Sequence, residues 1–104
     1  MNTSNQLDIA SRFLNFYIQN QDFFKSFEQV FLFGSVLSNN SFPNDIDILL
    51  VYSDYKDELL VDINTVTEQI IRLFDIPVDI TVLSIAELNQ TAFLKKIKHF
   101  CKIK

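Results

Sequence analysis

The sequence predicts an α/β (α+β) domain, a small mixed β-sheet flanked by helices, and three observations carry that expectation. Apolar residues recur at helical spacing in two long segments, three short runs of β-branched and aromatic residues have the length of strands, and the order along the chain is helix, strand, loop, strand, helix, strand, helix. The 104 residues are 48% hydrophobic and include eleven Phe, enough apolar surface for one packed core, so residues 1–104 read as a single domain.

Leu7, Ala10, Leu14, Tyr17 and Ile18 predict a first helix over residues 4–19, capped by Thr3 or Ser4 and ended by Asn20-Gln21-Asp22. Residues 23–27 add a helical turn. Gln29–Phe33 is an apolar run stopped by Gly34, a buried strand. Residues 38–44, Ser-Asn-Asn-Ser-Phe-Pro-Asn, form a loop of residues that bond their own backbone, and residues 45–52 form a second strand, neighbour to the first. Leu59, Ile63, Val66, Ile70 and Phe74, with Leu60, Thr67 and Ile71 widening the stripe, predict the strongest helix, over residues 55–73. Pro77 cannot continue it, and residues 78–83 are a third strand. Ser84 and Glu87 have the spacing of a capping box for a short helix. A last helix over residues 91–101 places Phe93, Ile97, Phe100 and Cys101 on one face, Cys101 as a small core residue, and Lys95, Lys98 and Lys102 on another.

Charge and composition exclude several classes of function. A single Cys excludes an intrachain disulfide and a cysteine-based zinc site. No apolar run is long enough to span a membrane, and the polar, uncharged residues 1–6 lack the layout of a secretion signal, which predicts a cytoplasmic location and no membrane partner. The net charge of −4 argues against nucleic acid as the main partner. The charge is also polarised. Residues 95–104 hold five Lys and no acid, leaving four basic groups against all thirteen acids in residues 1–94, a net of −9.

Asp45 and Asp47 open the second strand two residues apart, so both carboxylates point to one face while Ile46 and Ile48 point to the other. Two like charges side by side are destabilising unless a cation lies between them, and hard oxygen ligands suit Mg²⁺ or Mn²⁺. Asp79, an acid between Val78 and Ile80, repeats the pattern on another strand. Three carboxylates converging at one edge of a sheet can form a two-metal site for in-line phosphoryl or nucleotidyl transfer. The same residues also admit plainer roles: Asp-Ile-Asp as a solvated strand edge, Asp79 as a cap or the partner of a lysine. Gly34-Ser35, directly after a strand, is either an ordinary turn or a phosphate cradle, in which Gly admits the close approach of an anion and Ser35 offers a hydroxyl and an amide.

In order, Phe31-Leu32-Phe33-Gly34-Ser35, then Asp45-Ile46-Asp47-Ile48-Leu49-Leu50-Val51 after Pro43-Asn44, then Val78-Asp79-Ile80, the chain resembles the minimal nucleotidyltransferases of the DNA polymerase beta-like superfamily. The resemblance implies a polymerase beta palm-like fold and an Mg²⁺-dependent transfer of NMP, AMP from ATP first among NTPs, to a hydroxyl acceptor. It implies that Gly34 and Ser35 contact the triphosphate, that Asp45 and Asp47 hold the metals, and that Asp79 completes the site and helps activate the attacking hydroxyl. It further implies a helical HEPN-type protein partner, with the chain as antitoxin and a Tyr, Ser or Thr of the toxin as acceptor. Many relatives follow Gly-Ser with Arg and a second Gly, where this chain has Val36, Leu37, Ser38 and Asn39. That departure supports a rival reading, a subunit of this fold that acts by binding a protein partner without catalysis.

Overall fold

The computed structural model describes residues 5–37, 45–97 and 99–104, and of residues 5–8, 35 and 36 the backbone alone. Four strands, β1 (Gln29–Phe33), β2 (Ile46–Tyr52), β3 (Val78–Ser84) and β4 (Phe100–Lys102), form one sheet in the order β3-β2-β1-β4. β1 runs antiparallel to both β2 and β4, whereas β2 and β3 are parallel, so the sheet is mixed as the sequence predicts. The parallel pair is joined through α2 (Asp57–Leu73), the crossover such a pair requires.

Strand alternation divides the core in two. Val30, Leu32, Ile46, Ile48 and Leu50 face Phe13 of α1 (Asn5–Gln19), Phe24 and Phe27, and Leu59, Val66, Ile70 and Phe74 from α2 and its end. Phe31, Leu49 and Val51 face the other way, towards Leu88 of α3 (Ile85–Thr91), with Phe93 and Leu94 of α4 (Phe93–Ile97) beside it. β2, covered on both faces, is apolar almost throughout. Asp57 and Glu58 in the first turn of α2 and Arg72 in the last oppose its dipole. Ser84 and Glu87 form the expected capping box, with the Glu87 amide 3.0 Å from Ser84 Oγ and the Ser84 amide 2.8 Å from Glu87 Oε1.

Three expectations are corrected. Among the described side chains of α1 the buried one is Phe13, with Leu14 and Ile18 exposed, because Phe13, Phe16 and Tyr17 gather edge-on around Phe24 in the 3₁₀ turn Gln21–Phe24. In α2 the stripe is narrower than expected: Leu60 is 53% and Ile71 52% exposed.

The last helix does not run over residues 91–101. Ala92 takes a left-handed φ of 52° and ends α3, α4 stops at Ile97, and the chain turns to pair with β1. The reason lies in backbone hydrogen bonding: β1 would otherwise present an unpaired edge, and β4 fills it. The pairing continues past β4, with Ile103 N–H donating to Val30 O at 2.7 Å and Lys104 Nζ donating to the carbonyls of Phe24 and Phe27. Cys101 is accordingly exposed rather than part of the core, and Lys102 lies on a strand, away from the helical flank it was expected to share with Lys95. Lys98, the cap at Thr3 or Ser4 and the loop over residues 38–44 lie outside the described residues. Among the described residues no helix is long and apolar enough to cross a membrane.

Candidate metal centre

β1 ends, and β2 and β3 begin, at the same end of the sheet, and this places the sequence-singled residues together. Asp47 is the cross-strand partner of Phe33 on one side and of Asp79 on the other. Both acids therefore lie on the face that carries Phe31 and Leu49, and Asp45, two residues earlier, joins them. One carboxylate oxygen from each of Asp45, Asp47 and Asp79 lies within 4.8 Å of the others. Asp45 and Asp47 are half-buried and Asp79 is exposed. Partial burial pushes the Asp47 carboxyl above its ordinary value, and the neighbouring charges of Asp45 and then Asp79 push it further.

That electrostatic balance is what a cation would correct. An all-oxygen set of three carboxylates at this spacing fits Mg²⁺ or Mn²⁺, with water or phosphate oxygens filling the remaining positions. Gly34 closes the site from the β1 side. Its φ is 87°, and a Cβ built there would overlap Asp47 Oδ2 and lie 3.0 Å from Asp47 Cγ. Gly34 also opens the 3₁₀ turn Gly34–Leu37, whose second residue is Ser35; the Ser35 hydroxyl lies outside the described atoms.

The structure thus gathers Asp45, Asp47, Asp79 and Gly34, with the Ser35 backbone next in the chain. It changes the reason for Asp79, which is not a charge in a buried strand but an exposed group on the edge strand β3. The sequence predicts Phe100 on the apolar face of a last helix, whereas the pairing of β4 with β1 sets it opposite Phe33 at this end of the sheet. A three-residue strand is too short to leave a period-two signal. An open cleft of about 430 Å³ between Lys25, Glu28, Asp54 and Lys56 lies at the far end of the sheet from the carboxylates.

Residues 14–102 match the family model described as polymerase beta, nucleotidyltransferase. The chain belongs to the polymerase beta nucleotidyltransferase family. Two solved structures share the family fold. The tri-AMPylated HEPN toxin of Shewanella oneidensis in complex with MNT antitoxin aligns with a TM-score of 0.56 at 15% identity, over 92% of this chain and 71% of that one. A protein of Sulfolobus solfataricus assigned as a nucleotidyltransferase aligns with a TM-score of 0.55 at 22% identity, over 93% of this chain and 80% of that one. No curated protein matches the chain. At these identities the likeness is one of fold, and it is the family's mixed sheet that sets the three carboxylates of this nucleotidyltransferase domain at one end.

Proposed function

We propose that this chain is a metal-dependent nucleotidyltransferase that moves NMP, AMP from ATP in the first instance, to a hydroxyl of a HEPN-type protein partner, as the antitoxin of a toxin–antitoxin pair. The convergence of Asp45, Asp47 and Asp79 in a polymerase beta nucleotidyltransferase domain carries this reading. A divalent ion, when bound, neutralises the phosphate oxygens and the charge that develops in the transition state. Asp45 and Asp47 hold it there, and Gly34 and Ser35 take the triphosphate. Asp79, the most exposed of the three, accepts the proton of the acceptor hydroxyl as its oxygen bonds to the α-phosphorus and pyrophosphate departs. The partner class is supported by the toxin–antitoxin complex with which the fold aligns.

The test is a thermal-shift titration with Mg²⁺ or Mn²⁺ and a non-hydrolysable ATP analogue. The expected result is a rise in Tm in the wild type that vanishes in Asp45→Asn/Asp47→Asn. A folded wild type with no shift at saturating ligand removes the proposal. A second reading, a partner-binding subunit without catalysis, is favoured by the stretch Val36, Leu37, Ser38 and Asn39, which lacks the Arg and second Gly that many relatives carry after Gly-Ser. Under that reading the nucleotide shift is absent, yet the chain still binds its partner.

A further inference from the structure

The strand register draws one line across the whole sheet. Asp79 of β3 pairs with Asp47 of β2, Asp47 with Phe33 of β1, and Phe33 with Phe100 of β4. Register partners share a face, so two carboxylates and two aromatic rings stand in a row across four strands. Strands lie about 4.8 Å apart, which puts Phe100 roughly 10 Å from Asp47. We propose that Phe33 and Phe100 are the platform on which the base of a nucleoside triphosphate stacks while its phosphates lie at the acidic end of the row. This rests on the nucleotidyltransferase reading above and adds to it the subsite that holds the base.

Three observations support the assignment. The row divides into an anionic half suited to metal and phosphate and a neutral, flat, apolar half, the same division that a nucleotide has along its length. Phe100 is 41% exposed although every neighbour in the row is tied into the sheet, so ring surface is open to a ligand beside the acids. Both rings are also braced edge-on from within the protein: Phe100 by the buried Phe31 at 5.4 Å and Phe33 by Phe93 at 5.6 Å. Such bracing fixes the rings before a ligand arrives, which lowers the entropy lost on stacking. A stacked base is recognised by its π-face, so the platform takes ATP and GTP alike.

The experiment compares two probes on the full chain by calorimetry, Mn²⁺ with an ATP analogue and Mn²⁺ with inorganic tripolyphosphate, which has the phosphates and no base. In Phe100→Ala the affinity for the ATP analogue should fall on the order of ten-fold, with tripolyphosphate unchanged, and Phe100→Tyr should restore it. Phe100→Leu keeps the apolar volume without the aromatic face and should behave as Phe100→Ala does, which covers the case of an alanine variant that fails to fold. Unchanged affinity for the ATP analogue in Phe100→Leu, or an equal loss for both probes, overturns the platform while the metal centre stands. A wild type that binds neither probe overturns the metal centre and the platform with it.

Discussion

Gly34 stands against the carboxylate of Asp47, so close that no side chain could occupy its Cβ position without displacing that carboxylate. The turn after β1 is therefore a wall of the acidic cluster as well as a candidate cradle for phosphate, and one residue meets two demands. Its positive φ of 87° needs glycine, and so does the space that Asp47 fills.

Gly34→Ala should accordingly destabilise the apo protein by roughly 1–3 kcal/mol, from backbone strain and the displaced carboxylate together. The same variant should lose most of its response to Mn²⁺. Urea denaturation and a Mn²⁺ titration check both. An alanine variant with wild-type stability would show that Asp47 has another position available.

Much of this was legible in the sequence, for reasons that can be named. Gly34, Asp45 and Asp47 were legible because each sits where a neutral or bulky residue would be the ordinary choice, next to apolar strands of clear length, whereas Asp79 was singled out as a charge in a buried strand, a reason that its exposure on the edge strand replaces. β2 was legible because it is buried on both faces. The fate of residues 91–102 was not, since helical spacing there competes with an open edge on β1, a demand made by a strand some seventy residues earlier. The buried face of α1 was misjudged for a similar reason: Phe13, not Leu14, meets Phe24, and only tertiary packing selects between adjacent apolar residues.

Asp47 predicts a pH dependence. Its carboxyl is held above the usual value of 3.8, by burial first and then by Asp45 and Asp79, so the folded state binds its proton more tightly than the unfolded state. The contribution to stability is full below pH 3.8 and is lost as pH rises through the raised value. Asp47→Asn lacks this loss. Its stability relative to wild type should therefore climb across that window and stay higher at neutral pH in the absence of metal. Mn²⁺ affinity of the wild type should run the opposite way and strengthen with pH, since metal and proton compete for one carboxylate. A constant difference between the two proteins from pH 3 to 7 would count against the coupling.

Asp79 separates site from scaffold. It is exposed on an edge strand, so Asp79→Asn should change stability by no more than about 0.5 kcal/mol. Its Mn²⁺ affinity should nonetheless drop about ten-fold or more, the range lost even when an outer partner of a metal ligand is removed. Equal affinity in variant and wild type would leave Asp45 and Asp47 as the whole of the metal centre.

The lysines of the C-terminal segment divide into two kinds. Lys104 Nζ donates to Phe24 O at 3.0 Å and to Phe27 O at 2.6 Å, and so ties the end of the segment to the 3₁₀ turn and the aromatic cluster around Phe24. Lys95 and Lys96 lie exposed on α4, and Lys102 lies exposed on β4. Lys104→Met should cost about 1–3 kcal/mol, because two carbonyls lose a charged donor in a partly buried place. Lys95→Glu and Lys96→Glu should each stay within about 0.5 kcal/mol of wild type. Their effect belongs to association instead: reversal of exposed charges should slow binding of an acidic partner surface and flatten its salt dependence, with Mn²⁺ binding intact. Urea denaturation of the three variants, followed by association rates at two ionic strengths, checks the division. A loss of stability shared equally by Lys95→Glu and Lys104→Met would make the whole segment structural and move the search for the partner surface to the exposed Leu14 and Ile18 of α1.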